Sequence, residues 1–426
     1  MKRTKALSIP ADSDNGSFGV AAGSLSGRVT AVEKAMIQRM LEALGRPALN
    51  VVLWNGEEFD GSASTPVARL QIHDRRALYK LISNPELQFG ELYSTGRVEV
   101  DGNLVSFLET AYASGSSITW ISPWKEHLGR WLRRSRANTL AGSRSNIHHH
   151  YDISNEFYTL WLDHEMQYTC AYFPDPQMTL EAAQTAKLDH VCRKLQLKPG
   201  DRVVEAGCGW GGLARHMARH YGAQVTAYNI SHEQVAYARE RAKREGLADH
   251  VQYIEDDYRT ISGKFDVFVS VGMLEHVGRE NYGELGGVMD RSLTRCGRAL
   301  IHSIGRNRPG RLNPWIEKRI FPGGYPPSLR ELLEVFEPYD FSVLDVENLR
   351  LHYAKTLQHW LERYEQHFER VCDMFDSNFA RAWRLYLAGS IAAFTMSTLQ
   401  LFQVTAARAR DNSIPWNREH LYVDAH

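Results

Sequence analysis

Gly207, Gly209 and Gly212 in VVEAGCGWGG (203–212) stand as G-x-G-x-x-G directly after an apolar strand-like run and before a helix-like one. Glycine at such a turn lets the chain reverse tightly and approach a ligand with its backbone, so a nucleotide-type cofactor is the chemistry this spacing suits. The next strand ends on Asn229 and Ile230, where a dinucleotide site expects an acid for the ribose. Gln234 follows in NISHEQ. Its amide both donates and accepts and can take ribose hydroxyls, while Ser231 and Gln234 equally spell an S-x-x-Q capping box. Both roles stay open. Asp257 and Tyr258 end the third strand in EDDYR, where an adenine amine and ring face would lie; taken alone, an acid there reads as a solvated loop residue.

Further along, Glu275 follows an apolar strand and taken singly reads as a cap of the next turn. His302, between Ile301 and Ile304, reads as a satisfied core histidine, and Tyr353 as packing with a bonded hydroxyl. Cys170 has no legible activating partner. The run His148, His149, His150 cannot turn three consecutive rings onto one ion from a helix or a strand, so no metal is expected.

The elements that position these residues alternate from about Gly200. DRVVEAG, AQVTAYNI, VQYIEDD, FDVFVSVG and RALIHSIG read as strands, with LARHMARHYG and HEQVAYARERAKREG as helices between them. That alternation predicts an α/β fold with a doubly wound parallel sheet. After His352 the chain reads as helical, and Trp360, Leu361, Tyr364, Phe368, Val371, Phe375 and Phe379 form a stripe expected to cover the sheet. Upstream, VEKAMIQRMLEAL predicts a helix and NVVLW and VARLQIH predict strands, giving a small α+β domain over 27–115 after a tail at 1–26. A linker over 116–145 carries WISPWKEHLGRWLRRSR, which places Trp124, Leu128, Trp131 and Leu132 on one helical face among arginines. Such a helix suits an anionic bilayer surface or packing on the next domain. The catalytic domain is expected over 146–410, with a tail at 411–426.

Lys and Arg balance Asp and Glu at 50 each over 426 residues, which disfavours a nucleic-acid partner. Five scattered cysteines without a C-x-x-C pair argue against a disulfide framework and a structural zinc. With no signal-like or membrane-spanning apolar run, a cytoplasmic protein is expected, at most peripheral to the inner face of a membrane.

Seven segments in one order then resemble one family. HYDISNEFYTLWLDHEMQYTCAYF (150–173), GCGWGG, NISHEQ, SVGMLEHVG (270–278), LIHSIG (300–305), IFPGG (320–324) and HYAKTLQHW (352–360) are similar to the cyclopropane fatty acid synthase and mycolic acid methyltransferase family, from about 145 to 408. The resemblance implies a class I S-adenosylmethionine-dependent methyltransferase, Rossmann-like, with a helical cover. It implies methyl transfer from the sulfonium to a cis double bond of an acyl chain, giving a cation that loses a proton from the new methyl as a cyclopropane closes. Aromatic faces suit such a cation. The implied base is a bound bicarbonate held by Glu275, His302, Tyr353 and the backbone around Cys170 and Ile304. Tyr168, Thr169 (where the family usually has serine), Glu205, Gly207, Gly209, Asn229, Ile230, Gln234, Asp257 and Tyr258 are the implied cofactor contacts. Ser390, in YLAGSIAAF, stands where some bacterial synthases carry a cysteine, which leaves the product's identity open.

The expected substrate is an acyl chain of a membrane phospholipid, with the helix near Trp124–Trp131 and the PGGYPP loop (322–327) as candidate bilayer contacts. A hydride shift before proton loss would instead give a methylene branch, which a partner reductase could saturate. Related synthases suggest a homodimer. Two other classes compete, a lipid-binding relative without activity and an NAD oxidoreductase. Intact Glu275, His302 and Tyr353 speak against the first; the missing ribose acid at Asn229 speaks against the second, and against a generic methyltransferase as well, since many of those use an acid there.

Overall fold

A computed structural model describes residues 27–63, 65–114 and 154–422. The expected tail at 1–26, the basic helix over 120–136 and the His148–His150 run lie outside them. The chain divides into two compact units.

In the first unit, helix Ala31–Ala43 starts at Thr30, whose hydroxyl accepts from the Glu33 N–H while the Glu33 carboxylate takes the Thr30 N–H. Strands β1 (Leu49–Leu53), β2 (Glu58–Asp60), β3 (Ala68–Ile72) and β4 (Val98–Gly102) make a sheet in the order β2-β1-β3-β4, with only β1 and β3 parallel. Helix Arg75–Ser83 stops because Asn84 adopts an extended conformation before Pro85, and its side chain then caps helix Pro85–Ser94.

Asn313–Ile320 and Leu361–Met396 also group with this unit. Helix Ser377–Thr395 packs on helices Pro85–Ser94 and Leu104–Ser114. Arg381 bonds the Tyr93 carbonyl at 2.8 Å and lies over its ring. Gly90 admits the Trp315 indole, and Arg319 forks onto Glu91 at 2.8 and 2.7 Å. The aromatic stripe therefore divides, contrary to a cover lying wholly on the sheet. Trp360 belongs with the second unit, while Tyr364, Phe368, Val371, Phe375 and Phe379 belong with the first.

The second unit holds β5 (Arg202–Ala206), β6 (Gln224–Asn229), β7 (Val251–Glu255), β8 (Phe265–Val271), β9 (Leu293–Gly305), β10 (Phe341–Asn348) and β11 (Gln400–Arg408). Their order is β10-β11-β9-β8-β5-β6-β7. β11 runs antiparallel to both neighbours and the rest are parallel, so this is the expected doubly wound sheet with one reversed strand. Both faces are covered, which is why β5, β8 and β11 are buried along nearly their whole length. The strand order switches between β5 and β8, and a crevice opens there at the carboxyl ends.

Candidate active site

The glycine turn is built from the backbone outward. After β5, Gly207 takes φ +83°, and the N–H groups of Gly207 and Cys208 both donate to the Tyr228 carbonyl, tying the turn to β6. Gly211 sits left-handed at φ +77° and starts helix Gly212–Tyr221. Tyr253 donates its hydroxyl to the Gly211 carbonyl at 3.0 Å, and a Cβ on Gly211 would lie 2.5 Å from that oxygen. Gly211→Ala is expected to lower stability by about 2–4 kcal/mol, combining left-handed strain with overpacking. Thermal unfolding checks it; an unchanged melting temperature would show that the turn tolerates a side chain. A Cβ on Gly209 would meet no atom of the described residues within 4 Å, so this glycine leaves its backbone open to a ligand.

Opposite the turn, Ser231 caps helix His232–Arg244 by accepting from the Gln234 N–H. The Gln234 side chain does not complete a capping box. Its Oε1 accepts from Asn229 Nδ2 at 2.7 Å, and Asn229 also donates to the Gly209 carbonyl at 3.2 Å. Gln234 thus presents its amide nitrogen to the crevice. Asp257 is buried, not solvated, and takes the Arg259 N–H at 3.0 Å. Tyr258 beside it is pushed up to about 12 by burial. Tyr168, Thr169, Glu205, Gly207, Gly209, Asn229, Ile230, Gln234, Asp257 and Tyr258 all line this one crevice.

The strip Gln167–Thr169 is held from beneath by helix Leu180–Lys194. Gln184 donates to the carbonyls of Gln167 and Thr169, and the buried Lys187 ammonium donates to Gln167 Oε1 at 2.7 Å and Thr169 Oγ1 at 2.9 Å. Burial lowers Lys187 to about 8 and raises Glu205 to about 7, each opposed by the other's charge. Neither Lys187 nor His276, a second crevice residue, was expected from the sequence. Burial lowers His276 to about 4, so it faces the crevice neutral. In the sequence Lys187 looks like a solvated helix residue, and only its neighbours in space reveal it.

Cys170, Glu275, His302, Tyr353 and Ser390 do not line the crevice. Glu275 lies two residues beyond Met273 of its wall, on the short helix Leu274–Val277 after β8. Its Oε1 accepts from the Ile304 N–H on β9 at 2.5 Å, while its buried Oε2 has no hydrogen-bond partner among the described residues. Burial pushes this carboxyl up to about 7, against the pull of the Ile304 N–H. His302, on β9 opposite Val271, is held neutral by burial, and its Nε2 likewise has no hydrogen-bond partner among the described residues.

Tyr353 is buried, with its ring edge-on to Trp360 at 5.9 Å and its N–H on the Leu349 carbonyl. Cys170 Sγ faces the Ala171 carbonyl at 3.1 Å and the Leu349 carbonyl at 3.9 Å. Burial raises its thiol far above the normal range, which does not suit a nucleophile. Ser390 lies half-buried on helix Ser377–Thr395 of the first unit, while the other four belong to the second. In the PGGYPP loop only Gly323 is exposed, and Tyr325 donates its N–H to the Glu275 carbonyl.

A doubly wound sheet with one reversed strand, a glycine turn after β5 and a crevice at the switch point define an S-adenosylmethionine-dependent methyltransferase of class I. The chain belongs to the family described as mycolic acid cyclopropane synthetase, whose model matches residues 139–404. A domain of unknown function matches residues 36–120. A probable fatty acid methyltransferase of Pseudomonas putida is 36% identical over 403 residues, 91% of this chain and 99% of its own. The cyclopropane-fatty-acyl-phospholipid synthase of Escherichia coli strain K12 is 42% identical over 266 residues, 62% of this chain and 68% of its own. The crystal structure of mycolic acid cyclopropane synthase CmaA1, complexed with SAH and CTAB, matches with a TM-score of 0.59 at 29% identity, covering 62% of this chain and 98% of that one.

Proposed function

We propose that the protein adds a one-carbon unit from S-adenosylmethionine to a cis double bond in a phospholipid acyl chain and closes it to a cyclopropane, with bicarbonate as the base. The observation that carries this reading is the pair of buried polar atoms left open by the fold, Glu275 Oε2 and His302 Nε2. The described residues hold other buried polar atoms without partners, but these two are a carboxylate oxygen and an imidazole nitrogen linked through β9, where the Ile304 N–H bonds Glu275, and such a pair suits a small polar ion. When bound, the cofactor supplies an electrophilic methyl and the anion a proton acceptor.

The chain's own groups do the rest. Gly209, Asn229 with Gln234, and Asp257 fit the cofactor's backbone contacts, ribose and adenine. Glu275, near neutral pH in its affinity for protons, can share one with an anion. Neutral His302 adds a hydrogen bond without adding charge. The rings of buried Tyr158, Trp161 and Trp360 and of half-buried Tyr168, with neighbouring centroids 5.3–5.6 Å apart, exclude water and offer π faces to the cation that methyl transfer forms.

The test incubates purified protein and S-adenosylmethionine with vesicles of cis-unsaturated phospholipid, in carbon-dioxide-free buffer and with bicarbonate restored. S-adenosylhomocysteine release that rises with bicarbonate, with cyclopropane ring protons in the product's NMR spectrum, is expected. Release indifferent to bicarbonate would remove the base from the reading. A second product, a methylene branch, is favoured by the fatty acid methyltransferase whose similarity runs along nearly the whole chain; the same spectrum would show vinylidene protons instead. S-adenosylhomocysteine, and not NAD, is expected to raise the melting temperature, by several degrees at a hundredfold excess over its dissociation constant. A rise with NAD alone would return the oxidoreductase. No described helix is long and apolar enough to cross a membrane.

A further inference from the structure

We propose that Gln403 is a positioning residue that fixes the tautomer of His302, so that the ring presents its Nε2–H to the anion. The inference rests on the bicarbonate reading above and deepens it.

Strand β11 is buried along its length, and a glutamine in the middle of LFQVTAA needs a partner. The register supplies one. Gln403 stands opposite His302 on β9 and opposite Glu347 on β10, so three polar side chains form one row across the same face of the sheet. Gln403 and His302 are 0% and 1% exposed, and Gln403 Nε2 lies 3.0 Å from His302 Nδ1. In the orientation shown the amide nitrogen faces the ring and donates, so Nδ1 accepts and carries no proton, while Gln403 Oε1 is left without a partner among the described residues. A neutral imidazole then bears its hydrogen on Nε2, the atom without a partner among the described residues.

The groups facing His302 keep it neutral. Burial disfavours the imidazolium, and Lys187, Lys194 and His190 oppose a further positive charge, with only Glu347 favouring one. Glu347 itself is engaged elsewhere: His190 Nε2 and Lys194 Nζ each bond its carboxylate at 2.7 Å. A carboxylate directly against Nδ1 would draw the ring proton to that side and turn the Nε2 lone pair toward the anion, which would repel it. An amide avoids this. Residues that orient a ligating histidine from behind commonly set its tautomer in this way.

The experiment uses full-length protein with 15N-labelled histidine, the His302 ring signals being assigned from their loss in His302→Gln. The ring-nitrogen shifts are expected to show a neutral imidazole protonated at Nε2. In Gln403→Glu the proton should move to Nδ1. The bicarbonate concentration giving half-maximal turnover should rise at least tenfold, while the S-adenosylhomocysteine dissociation constant stays within threefold. Gln403→Leu should show mixed tautomers and an intermediate rise; a packing role would leave the half-saturation unchanged in both variants and overturn the proposal. So would a wild-type spectrum with the proton on Nδ1, which needs no variant to fold. Wild-type turnover indifferent to bicarbonate sinks the bicarbonate reading instead, and the ring spectrum then still judges Gln403 by itself.

Discussion

Glu275→Gln is expected to lower turnover by about 10²–10⁴-fold, the range for removing a group that moves a proton. Its S-adenosylhomocysteine affinity should stay within about threefold of wild type, because Glu275 lies outside the crevice that takes the cofactor. The amide oxygen can still accept the Ile304 N–H, so the local backbone has no reason to move. What the variant loses is the ability to take or release a proton.

The same substitution should stabilise the fold at alkaline pH. Burial raises the Glu275 carboxyl from 4.5 to about 7, so between those values the folded chain holds a proton that the unfolded chain releases. Wild-type stability therefore falls as pH rises through that window, while a glutamine there does not titrate. Above neutrality the variant's advantage is fully developed, on the order of 3 kcal/mol at most. Urea unfolding at pH 5 and pH 8 measures it. Loss of cofactor binding, or no gain at pH 8, would show that Glu275 has been placed wrongly.

The second large effect is expected at Lys187. Lys187→Met keeps the length of the side chain and removes the ammonium that Gln167 Oε1 and Thr169 Oγ1 both accept from. Buried Gln167 and half-buried Thr169 lose their donor, at about 1–3 kcal/mol for the buried acceptor and less for the other, while the desolvation of the ammonium is relieved, so a net loss of about 2 kcal/mol is expected. The functional effect should be larger than the stability effect. Gln167 and Thr169 flank Tyr168 on the crevice wall, and Glu205 loses its nearby cation. S-adenosylhomocysteine should bind at least tenfold more weakly, as measured by calorimetry. Lys187→Arg tests placement against charge, since a guanidinium keeps the charge but not the geometry. If Lys187→Met binds the cofactor normally, the clamp under the strip is purely structural.

Much of this was legible in the sequence because it is local. The strands from DRVVEAG to RALIHSIG announce themselves by apolar runs bounded by turns, and the glycine turn by its spacing. The ten residues expected at the cofactor lie along a few such loops, and the sheet brings those loops to one crevice. β11 was not foreseen: QLFQVTAAR follows a long helical stretch, and its alanines suit a helix as well as a buried strand. Its pairing with β9 and β10 is a long-range fact, and Gln403 was invisible without it. Lys187 was hidden for a similar reason, since a lysine in TAKLDHVCRK is solvated unless some distant segment covers it. The division of the aromatic stripe at Trp360 also depends on which surfaces its helices find, not on their periodicity.

The first unit's make-up from separated stretches of chain bears on how the protein is made. Its sheet and early helices leave the ribosome well before the helix Ser377–Thr395 that packs on Pro85–Ser94 and Leu104–Ser114 has been translated. Until then the nascent N-terminal segment carries apolar helix faces with no mate, the state in which chains recruit chaperones or aggregate. A stop codon between residues 115 and 377 would therefore leave the first unit without the helix that covers it.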